Sequence, residues 1–367
     1  MPDSLLPKLL HVIGTRPQVI KLAPLYDALQ DAFHQDVLDT GQHYDVALSA
    51  QLYVDLQIPE PTYALGVGSG SHTRQTAKML TGIAAVLEDL RPDVVLVYGD
   101  TNSTLAGALA CAQLQIPVVH VEAGLRSFNR IMPEERNRVV VDHLCDVLFA
   151  PTETAMAQLA REGLAERARL TGDIMVDALS RGRQIVEKTP FNWSKSAWAK
   201  HPEDGFTLLT LHRPYNVDDP ERLQTILERL AETGWTYLFP VHPRTRNVIE
   251  QHHIVVPETI RMLPPVGYLA SVRLQMAAER IITDSGGIQK EAYILGKPCI
   301  TLRPETEWVE TVQAGWNLLC DPMARNFIPD IVRFAPVATR PPWFGTHVAT
   351  NMKTQLRALV AEENTHG

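Results

Sequence analysis

Several ionisable side chains in this sequence stand just where a short apolar run stops. Val94-Val95-Leu96-Val97-Tyr98-Gly99-Asp100 sets Asp100 at such a stop, and Val118-Val119-His120-Val121-Glu122 does the same for Glu122. A carboxylate there needs a partner or a role, because burying an unpaired charge is costly. Asp100 has a bland alternative, capping the next helix, although Thr101 and Asn102 can also cap it. For Glu122 a partner is available in Arg126 or His120. Glu134 opens a third segment, Pro133-Glu134-Glu135-Arg136-Asn137-Arg138, with Arg138 on the same helix face one turn later. That spacing fits a simple i,i+4 ion pair as well as an acid/base role.

Cationic and anion-binding candidates accompany the carboxylates. Gly14-Thr15-Arg16-Pro17 followed by Lys21 places two cations beside the free amides of a helix start, a setting for phosphate or carboxylate, or else a basic surface helix. In the second half His212 and His242 each close an apolar run. Imidazole is readily tuned near neutral pH, so either is a candidate for acid/base or phosphate contact, and one of the two can be structural only. Asp284-Ser285-Gly286-Gly287 gives a strand-to-helix turn whose amides and hydroxyl fit a diphosphate, with helix capping as the alternative. Glu291, further along that helix, is placed to accept hydrogen bonds from ribose hydroxyls.

Residues of this kind need a scaffold that brings strand ends together. Strands are predicted at 9–13, 94–98, 118–121, 147–150, 206–211, 237–241, 280–283 and 298–302, alternating with helical segments such as 105–114, 153–162 (capped by Thr152), 221–233, 269–278 and 286–295. Such alternation marks parallel α/β architecture, in which ligands bind beyond the carboxyl ends of strands. Two Rossmann-like doubly wound domains are expected, 1–185 and 186–345, facing a central cleft, with a tail helix in 346–367 returning to the first. The crossing falls in a Trp-containing polar stretch near 180–205.

Composition removes other classes. At 367 residues, 45% hydrophobic and 21% charged, the chain exceeds one small module and is neither disordered nor disulfide-built. A net charge of −8 argues against a nucleic-acid-coating surface. Four cysteines without C-x-x-C spacing read as buried thiols in a reduced, cytoplasmic protein, and neither a signal peptide nor a spanning segment is expected. Gly66-Val67-Gly68-Ser69-Gly70 lacks the spacing of a dinucleotide loop and reads as a flexible loop. His252-His253 reads as solvated, and no metal site is expected.

Taken together, Gly14-Thr-Arg-Pro with Lys21, Gly99-Asp-Thr, His120-Val-Glu-Ala-Gly-Leu-Arg, Pro133-Glu-Glu with Asn137-Arg138, Leu211-His-Arg, and Asp284-Ser-Gly-Gly-Ile-Gln with Glu291 resemble the non-hydrolysing UDP-N-acetylglucosamine 2-epimerase family. The resemblance runs from about residue 9 to 320. It implies a GT-B fold, a UDP-sugar substrate, no cofactor, and a homodimer. It also implies Asp100, Glu122 and Glu134 as acid/base carboxylates, His212 beside the leaving diphosphate, and contacts from Arg16, Lys21, Arg138, His242, Ser285, Gly286, Gly287 and Glu291. The implied reaction eliminates UDP as the C2 proton leaves, and then re-adds it.

Three segments depart from that pattern. Gln18 stands where Glu is frequent, Pro214-Tyr215-Asn216 replaces a Glu-Asn pair, and Thr306-Glu307-Trp308-Val309-Glu310 replaces Thr-Glu-Arg-Pro-Glu. Similar variants resemble a branch acting on UDP-2,3-diacetamido-2,3-dideoxyglucuronic acid. A GT-B glycosyltransferase or a nucleotide-sugar sensor would share the UDP site without needing three carboxylates.

Overall fold

The computed structural model describes residues 6–42, 46–190 and 205–366; the polar stretch 191–204, expected at the domain crossing, lies outside them. Two compact units are present, one of Met1–Arg181 with Pro342–Gly367 and one of Gly182–Pro341, so the boundary falls within the helix Met175–Lys188.

In the first unit the strands are β1 (Lys8–Ile13), β2 (His34–Asp39), β3 (Tyr63–Ala64), β4 (Val94–Tyr98), β5 (Val118–Val121), β6 (Val147–Ala150) and β7 (Ala168–Leu170). They form one parallel sheet in the order β3-β2-β1-β4-β5-β6-β7. Every residue of β4 is buried, as expected for a strand covered by helices on both faces. The C-terminal helix Val348–His366 belongs to this unit, packing on the helix Arg16–Leu29 and donating from the Ala349 amide to the Asp177 carboxylate at 2.7 Å.

The second unit contains β8 (Thr207–Thr210), β9 (Tyr237–Pro240), β10 (Ile260–Leu263), β11 (Arg280–Thr283), β12 (Cys299–Thr301) and β13 (Asn317–Leu319). Its parallel order is β10-β9-β8-β11-β12-β13. Both units therefore reverse direction between their first and fourth strands, β1/β4 and β8/β11, the topological switch points at which doubly wound sheets bind ligands.

Sequence reading located the strands beside each switch point and passed over β2, β3, β7, β10 and β13. These are short or interrupted by polar residues. In His34–Asp39 only Val37 and Leu38 are apolar, and β13 is three residues long. The Gly66–Gly70 segment follows the two-residue edge strand β3 and hydrogen-bonds to residues 40 and 41 through the Val67 and Gly68 amides at 3.0 and 2.9 Å. It pairs along the sheet edge and leads through Ser71 into the helix His72–Leu90, without the glycine spacing of a dinucleotide loop.

Candidate functional site

At the first switch point the backbone is packed so closely that side chains decide its residue types. A Cβ on Gly14, just past β1, would lie 2.0 Å from Thr40 Oγ1 and 2.3 Å from Ser103 Oγ, which hydrogen-bond each other across that position. After β4, Thr101 caps the helix Asn102–Leu114 by accepting from the Thr104 amide, so Asp100 is not used as a cap. Asp100 instead pairs with Arg138 at 2.6 Å, while its backbone carbonyl accepts from Asn137 Nδ2 at 2.9 Å.

Glu122 follows β5 with φ of +77°, a left-handed backbone that non-glycine residues seldom adopt and that clusters at functional sites. Its carboxylate is paired with Lys21 at 2.8 Å. Neither of the partners expected from sequence is used. Arg126 binds Asp142 and Glu162, both at 2.7 Å, and His120 lies between Asp142 Oδ1 at 2.6 Å and the Gly99 carbonyl at 2.7 Å. Burial alone would raise the Asp142 carboxyl, but His120 and Arg126 outweigh it and hold it below the usual carboxylate range.

The helix Pro133–Leu144 brings Glu134, Asn137 and Arg138 to the same turn. The i,i+4 pair does not form: Arg138 reaches Asp100 and Glu135, and Glu134 has no hydrogen-bond or ion-pair partner among the described residues. Burial works against the Arg138 charge, yet Asp100, Glu122 and Glu135 together raise its pKa. Glu135 is the buried anchor of the preceding loop, accepting from the Ser127 and Phe128 amides at 2.8 and 2.9 Å. Arg16, partly exposed at the start of its helix, has no partner among the described residues. The first unit thus assembles Asp100, Glu122, Lys21 and Arg138 as two ion pairs, with Glu134 and Arg16 unengaged.

The second switch point is built on a different residue. Asp284, fully buried after β11, accepts from the His212 and Arg213 amides at 3.1 and 3.0 Å, from Asn216 Nδ2 at 3.2 Å, and faces His212 Nδ1 at 3.1 Å. Sequence reading placed Asp284 in a motif without giving it this role. Only the sheet order, which sets β8 against β11, reveals that it orients His212. The His212 ring is one-third exposed and tilts against His242 with centroids 5.6 Å apart.

Ser285 caps the helix Gly286–Leu295, accepting from the Ile288 amide at 3.5 Å. A Cβ on Gly286 would meet Glu307 Oε1 at 2.2 Å, whereas Gly287 faces open space save for Ser285 Oγ at 3.9 Å. Glu291 accepts from Gln275 Nε2 at 2.6 Å, and burial raises its carboxyl pKa against the pull of Gln275 and Lys290. His242 caps the helix Pro243–Gln251, its Nδ1 accepting from the Arg244 amide at 3.2 Å. Among the described residues no group of three or more His, Cys, Asp or Glu is placed to hold a metal ion, and no helix is long and apolar enough to cross a membrane.

Known proteins resemble this chain over most of its length. A family model described as UDP-N-acetylglucosamine 2-epimerase matches residues 27–339. A UDP-N-acetylglucosamine 2-epimerase from Methanocaldococcus jannaschii is 45% identical over 85% of this chain and 88% of its own. A UDP-2,3-diacetamido-2,3-dideoxy-D-glucuronate 2-epimerase from Pseudomonas aeruginosa is 42% identical over 89% of this chain and 91% of its own. Among solved structures, the M. jannaschii UDP-GlcNAc 2-epimerase in complex with UDP-GlcNAc and UDP superposes with a TM-score of 0.83 at 40% identity, covering 96% of this chain and 99% of that one. The two parallel-sheet units are of the GT-B class.

Proposed function

Because the chain belongs to the UDP-N-acetylglucosamine 2-epimerase family, and is thereby an isomerase of a sugar nucleotide, we propose that it interconverts UDP-N-acetylglucosamine and UDP-N-acetylmannosamine. The carrying observation is the pair of carboxylates at the ends of adjacent strands, Asp100 on Arg138 and Glu122 on Lys21.

A C2 proton that is not α to a carbonyl is feebly acidic. Its removal must accompany loss of a stabilised leaving group: the C2–H electrons become the C1=C2 double bond as the C1–O bond to UDP breaks. A 2-acetamidoglucal results, is protonated on its other face, and UDP returns to C1. This sequence needs a base, an acid on the opposite face, and charge stabilisation for the diphosphate. Asp100, Glu122 and Glu134 are the acid/base set. Two carboxylates near one another oppose each other's ionisation, and separate cations offset that repulsion.

Arg16, Lys21 and Arg138 contribute positive charge on the sugar and phosphate side. In the second unit His212, oriented through Nδ1 by Asp284, keeps Nε2 for the departing diphosphate. His242, Ser285, Gly286 and Gly287 contact the diphosphate, and Glu291 takes the ribose hydroxyls. On this reading the protein is a cytoplasmic homodimer with no nucleic-acid partner, the last supported by its net charge of −8.

The diacetamido uronate is the alternative substrate, suggested by the variant segments and by the P. aeruginosa relative. Two of those segments are occupied internally: Gln18 with turn atoms, and Asn216 with Asp284 and the Leu302 carbonyl. Incubation with each UDP-sugar in deuterated water, read by NMR, tests both points. Epimerised N-acetylhexosamine carrying deuterium at C2 is expected. Turnover of the uronate alone would overturn the substrate, and an unlabelled C2 would overturn the elimination route.

A further inference from the structure

The helix Tyr268–Ala277 carries a fully buried amide, Gln275, set among core residues of the second unit: Leu274 beside it and Ala292 on the neighbouring helix Gly286–Leu295 both belong to that core. Its nitrogen is used twice. Nε2 donates to Glu291 Oε2 at 2.6 Å and to Ser271 Oγ, one turn earlier, at 3.3 Å. Its oxygen, Oε1, is buried with no hydrogen-bond partner among the described residues. A carboxylate accepts hydrogen bonds and an amide oxygen cannot donate one, so the nitrogen is the atom that faces Glu291.

An amide with its oxygen unmet inside a core is less favourable than an apolar side chain of the same length. The fold alone would be better served by methionine here. What distinguishes Gln275 is its hold on Glu291, which keeps partial exposure and whose Oε1 has no partner among the described residues. Lys290, the preceding residue, is seated over the Trp308 ring at 4.2 Å. The hydrogen bond that orients Glu291 comes from a neutral donor, which leaves the negative charge of the carboxylate to act on a ligand.

We propose that Gln275 is a positioning residue for the nucleoside: it fixes one oxygen of Glu291 and so turns the other toward the ribose hydroxyls. The inference rests on the reading of Glu291 as the ribose contact. A glutamate side chain that rotates freely must be ordered when a diol binds, and that ordering lowers affinity. Gln275 does the ordering beforehand, within the folded protein.

Gln275→Met removes the amide and keeps an unbranched side chain of similar length. Calorimetry with UDP, with 2′,3′-dideoxy-UDP, which lacks both ribose hydroxyls, and with inorganic diphosphate separates the contacts. The wild type should prefer UDP to the dideoxy nucleotide. In Gln275→Met, UDP should bind ~3–10-fold more weakly, the scale of one side chain left to be ordered on binding. The preference for UDP should shrink by the same factor, toward that of Glu291→Ala, with diphosphate affinity unchanged. In turnover KM should rise while kcat stays within ~2-fold, as when binding is lost equally from ground and transition states. The melting temperature should equal or exceed that of the wild type, because a buried oxygen without a partner has been removed.

A wild-type preference for UDP that Gln275→Met keeps in full would overturn the proposal alone. So would a lowered melting temperature with UDP and diphosphate affinities falling in parallel, or a chain that no longer folds, since either outcome assigns the amide to the core. Equal wild-type affinity for the two nucleotides would overturn the ribose reading of Glu291 first, and the proposal with it.

Discussion

The two units share the order of their first six strands and place candidate residues at the same topological point, yet they equip it in opposite ways. The β1/β4 point of the first unit is a lattice of full charges in pairs, Asp100 with Arg138 and Glu122 with Lys21, stiffened by Gln18. The β8/β11 point of the second has small residues, a capped helix start and one histidine seated on a buried aspartate. One arrangement suits moving protons between fixed carboxylates; the other suits receiving an anion. The fold sets where chemistry happens, and the side chains at that position set which chemistry.

The sharpest way to break this contrast is to remove charge from the first unit while preserving shape. Asp100→Asn and Glu122→Gln should each lower kcat by ~10²–10⁴, the usual worth of a general acid or base, with UDP affinity nearly unchanged. Steady-state rates with calorimetric UDP binding separate the two effects. Near-wild-type turnover in both variants would return those carboxylates to a structural role.

Acid should separate the units next. His11, buried between Tyr98 OH and Gln35, has its pKa lowered to about 4 by burial, against a smaller opposing effect of Gln35. Its folded pKa lies below the unfolded value, so its stabilisation is present above pH ~6.5 and lost as pH falls toward the folded value, roughly 3 kcal/mol in all. Glu135, Asp142 and Glu162 act in the same direction at lower pH: burial raises each, but hydrogen bonds and arginines bring each below its ordinary value. In the second unit Glu291 is raised by burial, so its contribution is lost with rising pH and regained in acid. Brief proteolysis at stepwise lower pH should therefore cut first within the first unit. Prior cleavage in the second unit would contradict this assignment.

How much of this was readable in advance depended on whether a signal was local. Val94–Tyr98 and Arg280–Thr283 announced themselves as apolar runs, and Asp100, Glu122 and His212 stood visibly at the ends of such runs. Partnerships were not local. Lys21 meets Glu122 across 101 positions of sequence, a contact that exists only because β4 lies beside β1 and β5. Arg126 was the nearer candidate in sequence, but its helix-side neighbours Asp142 and Glu162 claim it. Asp284 and Gln18 looked like ordinary turn residues until the sheet order fixed what stands opposite them.

A smaller effect probes the receiving side. Glu291→Ala should weaken UDP binding by ~1.5–3 kcal/mol, the worth of charge-assisted hydrogen bonds, while leaving the carboxylate chemistry intact at saturating substrate. Unchanged calorimetric affinity would remove Glu291 from the nucleotide site and leave Gln275 as its only role.

The smallest expected effect falls on His242, and its size follows from how the ring is used. Nδ1 accepts from the Arg244 amide, a bond that requires that nitrogen to be unprotonated, and burial, His212 and Arg244 all lower the His242 pKa against Asp284. The cap is therefore present above pH ~6.5 and weakens as pH falls. Asn also caps helices well, so His242→Asn should change stability by only a few tenths of a kcal/mol and remove the pH dependence of the cap. What Asn cannot replace is the second ring nitrogen. If that nitrogen reaches a diphosphate oxygen, its loss costs a neutral hydrogen bond, ~0.5–1.5 kcal/mol, or about 2–10-fold in UDP affinity. Wild-type affinity in His242→Asn would assign the residue to capping alone. A loss exceeding that of Glu291→Ala would instead make the histidine pair, and not the helix start at Ser285, the main anion contact of the second unit.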